Sequence, residues 1–109
     1  MLVFDSTIKK GLYVIFSNGD LWNNRYNRFE KVYVDAKGYK YYKLKYKSGL
    51  YPKAVHRLVA ENFITESPIW PGYVVHHEDH NQQNNFVGNL KVMKEKKHIE
   101  YHKNSPITR

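Results

Sequence analysis

VVHHEDHNQQNNFVGNLKVMKEKKHIEYH (residues 74–102) holds five of the six histidines of this 109-residue chain; the sixth, His56, stands in AVHRLVAENFI (54–64). YVVHH (73–77) is β-branched and aromatic and reads as a strand. EDHNQQNNFVGN (78–89) is too rich in Asn and Gln for regular structure and reads as a long polar loop. LKVM (90–93) is a second strand, with Leu90 and Val92 on one face. KEKKHIEYHK (94–103) is helix-compatible and puts His98 and His102 at i and i+4 on one side. The predicted order is strand, loop, strand, helix.

Imidazole is a poor choice for a solvated surface and is used sparingly in cores, so metal binding or proton transfer is the chemistry to weigh. His98 and His102 one turn apart can chelate a cation. The zinc-protease arrangement needs a Glu after the first His, and here that residue is Ile99. His76 and His77 are adjacent on a strand, so they point to opposite faces and divide labour. One turns toward the helix to share an ion with His98, and the other faces a substrate as a base. Clustering without a metal is the plain alternative for these three.

Outward from this stretch, AVHRLVAENFI has Val55, Leu58, Val59, Asn62 and Phe63 at helical spacing. Pro68 and Pro71 in TESPIWPGY (65–73) then force an extended connection. His56 reads as a structural residue and His80 as a surface one. The first half reads as short antiparallel strands: LYVIFS before Asn18-Gly19, a two-residue hairpin signal; KVYVDA before Lys37-Gly38; YKYYKLKYK before Ser48-Gly49. In YYKLKYK the period is two, so Tyr42, Leu44 and Tyr46 share one face and Lys43, Lys45 and Lys47 the other.

The net charge is +8, from eighteen Lys/Arg against ten Asp/Glu. Seven of the basic residues lie between Ala36 and Ala60, a window without a carboxylate. That balance favours a polyanion, nucleic acid before membrane surface. The lysine face and WNNRYNRFEK (22–31), where Arg25 and Arg28 interleave with aromatics, suit phosphate contact and base stacking. A blunted edge strand and a plain hydrophilic loop are the simpler readings of the same residues. Zero cysteine excludes disulfides and thiolate zinc sites. No apolar run reaches the length of a membrane span and MLVFDSTIKK lacks a secretion signal, so a cytoplasmic protein without a membrane partner is expected.

These residues carry a family resemblance. His76-His77, Asp79, Asn84-Asn85, Asn89-Leu90 and His98 follow the order of the active-site module of HNH endonucleases, especially phage-encoded, homing-type ones. VHRLVA (55–60) resembles the helix that precedes that module, and YVIFSNGDLWN (13–23) is faintly similar to an N-terminal strand motif. The resemblance covers 54–102 well and 12–53 weakly. It implies a ββα-metal fold and metal-dependent hydrolysis of DNA phosphodiesters, in the host cytoplasm if phage-encoded. His77 would be the general base, Asn89 would brace the loop and orient it, and His76 and His98 would be metal ligands. His102 would add a ligand or a phosphate contact, while Asp79 and Asn85 tie the loop together through backbone hydrogen bonds. The ion would be Mg²⁺ or Mn²⁺, with Zn²⁺ or Ni²⁺ as alternatives.

The expected fold class is α+β: an antiparallel β region contacting DNA (1–53), an HNH ββα-metal module with its preceding helix (54–103) and a frayed tail (104–109), in one compact domain. Arg25, Arg28, Lys43, Lys45, Lys47 and Arg57 are the expected DNA contacts, and a monomer or weak homodimer is expected to nick or cut. An inactive DNA-binding protein and a nonspecific DNase or RNase are the competing functions. Two departures stand out. Many members have Gly where this chain has His80, and if that turn is left-handed a side chain there adds strain of about 1 kcal/mol or more. The final helix also lacks a Ser or Thr cap, offering only Met93-Lys94-Glu95.

Overall fold

The structure is a computed structural model, and it describes residues 11–46 and 49–95. Two consecutive three-stranded antiparallel sheets build the first half. β1 (Tyr13–Ile15) pairs antiparallel with β2 (Leu21–Asn23), and β2 with β3 (Arg28–Phe29). β4 (Tyr33–Val34), β5 (Lys40–Tyr46) and β6 (Gly49–Ala54) form a second antiparallel sheet in that order.

Two of the three expected turn glycines sit in turns of one kind, while Gly49 begins β6. Phe16 N donates to Asp20 O and Gly19 N to Phe16 O, each at 2.9 Å; Asp35 N donates to Tyr39 O at 2.9 Å and Gly38 N to Asp35 O at 3.0 Å. Each is therefore a three-residue loop ending in a left-handed glycine, with φ of 97° at Gly19 and 90° at Gly38. The two-residue turn expected at Asn18-Gly19 is replaced because the glycine takes the third loop position, where positive φ is needed.

Alternation along β5 is as its sequence predicts. Tyr42 and Leu44 are buried while Lys43 and Lys45 are exposed. Opposite those lysines on β6 stand Pro52 and Leu50. Pro52 lacks an amide donor, which an edge strand tolerates.

The helix α1 (Val55–Phe63) starts directly from β6 and buries Val55, Leu58, Val59, Ala60 and Asn62. It packs against β1, β5, β6 and the later hairpin, so it is the centre of the molecule. The core joins Tyr13, Ile15 and Leu21 from the first sheet, Leu44 from the second, the α1 stripe, and Leu90 from the histidine-bearing hairpin. Neither half has a comparable apolar cluster of its own among the described residues. Beyond α1, Glu61 accepts from Ile69 N at 3.1 Å and pairs with Lys53 at 2.8 Å, tying the proline-containing connection to the helix.

The last described elements are β7 (Tyr73–His77) and β8 (Leu90–Lys94), paired antiparallel from Tyr73↔Lys94 to His77↔Leu90. The class is α+β, with antiparallel sheets, one described α-helix and a short 3-10 turn at Val87–Asn89. Of the segment expected as the final helix (94–103), only residues 94 and 95 are described; His98 and His102 lie outside the described residues, as do Lys47 and the tail 104–109.

Candidate active site

Register decides where the two strand histidines go. His77 pairs with Leu90, a core residue, and His76 with exposed Lys91. Side chains alternate along β7, so His77 points inward toward α1 and His76 to the opposite face. Their surroundings confirm the split. His77 contacts the rings of His56, with centroids 5.3 Å apart, and Tyr39 at 6.3 Å. His76 contacts the ring of His80 at 5.5 Å, and its Nε2 lies 4.0 Å from Glu78 Oε1. Both histidines are buried.

Residues 78–89 connect the strands through a network centred on Asp79 and Asn89. Glu78 N donates to Asn89 O at 2.8 Å, closing the hairpin. Asp79 Oδ1 accepts from Asn81 N at 2.8 Å and from Asn89 Nδ2 at 2.9 Å, and Oδ2 accepts from Asn84 Nδ2 at 2.9 Å. Asp79 N donates to Asn89 Oδ1 at 3.1 Å, and Asn89 Nδ2 also donates to Asn84 O at 2.8 Å. These bonds favour the charged carboxylate. Donation from Asn84, then from Asn81 and Asn89, holds the Asp79 carboxyl below its usual range.

This bracing delivers Asn85 to His77. The Asn85 Oδ1 lies 2.8 Å from His77 Nε2 in a buried contact. An amide oxygen only accepts, so with the amide oriented this way Nε2 carries the hydrogen and Nδ1 keeps the lone pair. The sequence reading had Asn85 tying the loop to backbone; Asp79 does that, whereas Asn85 bonds the imidazole. Gly19 lies beside it, with Val55 as the closer neighbour. A Cβ at Gly19 would lie 3.1 Å from Val55 Cγ1 and 3.5 Å from Asn85 Cβ.

His80 answers the question of the missing glycine. Its φ is 61°, so the turn is left-handed and a side chain occupies it. The His80 ring packs edge-on against His76, a contact that glycine would lack.

His56, read from sequence as structural, lies against the candidate base. Its ring meets His77 and also Tyr39 at 5.4 Å, and its Nδ1 is buried without a partner among the described residues. Burial first, then His77 and Arg57, push its pKa down to about 4, so it is neutral near pH 7. Tyr39 had no sequence signal of its own. It arrives with the β4–β5 turn, to which the loop is bonded by Gln82 Nε2 donating to Lys37 O.

The basic candidates form a separate surface. Arg25 and Arg28 both lie near the Tyr26 ring, with guanidinium carbons 5.5 and 5.2 Å from its centroid. Buried Asn23 shapes that loop: its Oδ1 accepts from Arg25 N at 2.8 Å and Tyr26 N at 3.1 Å, and its Nδ2 donates to Glu30 at 2.6 Å. Arg25, Arg28, Lys31, Lys43 and Lys45 line one concavity of about 540 Å³ between the two N-terminal sheets. Arg57 is not among its lining residues and lies 3.9 Å from Glu61 on α1.

The donor set around His76 suits a cation: a buried imidazole with a carboxylate and a second imidazole close by. Among the described residues no three His, Asp or Glu side chains converge tightly enough to hold an ion by themselves.

Three comparisons bear on this site. Residues 53–99 match the model of the HNH endonuclease family. The chain is 30% identical over 90 residues to an uncharacterized HNH endonuclease of Acanthamoeba polyphaga mimivirus, which covers 83% of this chain and 27% of that protein. It is also similar to a solved structure described as "DNA binding and cleavage by the HNH homing endonuclease I-HmuI", with a TM-score of 0.77, 28% identity, and coverage of 86% of this chain and 53% of the other. The chain thus spans about a quarter of the first relative and about half of the second.

Proposed function

We propose that the chain, whose residues 53–99 match the model of the HNH endonuclease family, is a metal-dependent, homing-type endonuclease that hydrolyses DNA phosphodiester bonds. The single observation that carries this is the His77–Asn85 contact, which engages Nε2 as a donor and leaves Nδ1 as the ring nitrogen able to accept a proton.

His77 Nδ1 takes a proton from a water molecule whose oxygen attacks phosphorus. The Asn85 amide oxygen holds the Nε2 hydrogen throughout, orienting the ring and stabilising the imidazolium that forms. The P–O3′ bond breaks, the 3′ oxygen takes a proton from solvent, and the products carry a 5′-phosphate and a 3′-hydroxyl. Asp79, Asn84 and Asn89 contribute by keeping the loop in the one shape that places Asn85 on the base.

His76, with His98 as the second ligand that the family order implies and His102 as a further one, would hold a divalent ion, Mg²⁺ or Mn²⁺ in preference to Zn²⁺ or Ni²⁺. Such an ion supplies Lewis-acid stabilisation of charge on the phosphate. The concavity lined by Arg25, Arg28, Lys43 and Lys45 would bind the DNA backbone, with Tyr26 offering a stacking face. One site attacks one phosphodiester, so a monomer nicks.

Supercoiled plasmid with Mg²⁺ or Mn²⁺ tests the proposal. Wild type should give open circles before linear DNA and none in EDTA. His77→Ala should be slower by about 10²–10⁴-fold, the usual worth of a general base. Equal rates for the two proteins would overturn it.

A further inference from the structure

We infer that His56 is a positioning residue for His77: its ring is a wall that holds the base in the orientation in which Nε2 meets Asn85. This deepens the proposed function and rests on His77 being its base.

The geometry has three parts. His77 is gripped at one nitrogen by Asn85 and flanked by the His56 ring at an interplanar angle of 65°, with Tyr39 behind both rings. A single hydrogen bond fixes one atom of an imidazole but leaves the ring free to swing about that contact. An edge-on neighbour removes this freedom, because turning His77 would drive its ring into that of His56. The wall is itself anchored. His56 sits in the first turn of α1 between buried Val55 and the core residues Leu58 and Val59, so its backbone position is set by the centre of the fold.

His56 supplies shape and not a hydrogen bond. Its Nδ1 is buried with no partner among the described residues, and no hydrogen bond joins it to His77. Nor does it bring charge. Burial and its neighbours His77 and Arg57 favour the neutral ring, while Asp35, across the β4–β5 turn, opposes them weakly. Tyr39, the other ring on His56, lies tilted to both imidazoles, at 47° to His56 and 46° to His77. The base therefore works beside a neutral imidazole to which no hydrogen bond joins it.

The wall reading separates two substitutions that a hydrogen-bonding or charge role would group together. His56→Phe keeps an aromatic wall of similar size, whereas His56→Ala removes it. Nitrogen-15 long-range spectra at neutral pH should show His77 as the Nε2–H tautomer in wild type and in His56→Phe, and as a tautomer mixture in His56→Ala. Turnover on plasmid should fall by about ten-fold or more in His56→Ala with KM for DNA within about two-fold, and His56→Phe should stay within about three-fold of wild type, as expected when only the geometry of the base is altered. A wild-type His77 spectrum in His56→Ala, or a Phe variant as impaired as the Ala variant, would overturn the inference. A wild type that does not cut DNA would sink the nuclease reading instead, and the spectra would still decide whether His56 orients His77.

Discussion

The two faces of β7 carry the same side chain one residue apart and make different chemical objects of it. On the inner face, His77 is enclosed by His56, Tyr39 and Asn85: two aromatic rings and an amide oxygen. On the outer face, His76 meets Glu78 and His80, and Glu78 is about half exposed. The inner setting specifies a tautomer and suits proton transfer. The outer one sets a carboxylate and a second imidazole beside the ring, and the proposed function assigns the cation to it. Nothing in the residues themselves separates the roles; strand alternation and the element covering each face do.

The sharpest way to break this comparison is to remove the histidines singly. His77→Ala should abolish nearly all turnover while leaving Mn²⁺ affinity, read by calorimetry, within about three-fold; His76→Ala should weaken that affinity by about ten-fold or more as well as slowing the reaction. Equal loss of metal binding in both variants would mean that the two faces are not chemically distinct.

The next largest effect should come from the loop. Asn89 donates to both Asp79 and Asn84, so Asn89→Ala removes a brace that holds Asn85 on the base. Denaturant unfolding should show a loss of about 1–3 kcal/mol, with turnover down by about ten-fold or more, because the partners left behind lose their bonds. Wild-type turnover in that variant would show that the inner face needs no help from the loop.

Acid should sharpen the contrast. His56 has a folded pKa of about 4, below its usual value of 6.5, so between these values the unfolded chain binds more protons than the folded one. Stability contributed by the neutral ring is fully present above pH 6.5 and is lost as pH falls toward 4. His56→Phe removes this dependence, and relative to neutral pH it should gain at most about 2 kcal/mol over wild type at pH 5, as followed by thermal unfolding at the two pH values. Parallel stability curves for the two proteins would contradict the buried, neutral state of His56.

The smallest change should be His80→Gly. Glycine relieves the left-handed strain but frees the unfolded chain and deletes a ring contact with His76, so the net stability change should stay within about 1 kcal/mol. A loss beyond that, measured by denaturant unfolding, would make the His80 ring a larger part of the outer face than an edge-on contact with His76 implies.

Much of the frame was legible before the structure. The α1 stripe, the buried Tyr42 and Leu44 against outward Lys43 and Lys45, and the strand–loop–strand order of 73–94 all follow from local periodicity. Asp79 as a loop tie was legible too, since an Asp followed by Asn residues forms such turns with its own neighbours. The missed contacts share a different character. Asn85 meets His77 eight residues away across a loop, and His56 meets it from another element twenty-one residues earlier. Tyr39 comes from a different sheet. His80 could not be read either way, because its φ depends on how tightly the whole loop is closed.

The sequence by itself determined the elements, the side-chain alternation and the order of the HNH motif, because these rest on interactions within a few residues, where spacing along the chain is spacing in space. Only the tertiary structure decided which histidine faces inward, what it touches and which nitrogen is left basic. Those outcomes depend on how α1 and the β4–β5 turn pack over β7, and that packing is set by one shared apolar core. No single stretch of the chain contains it.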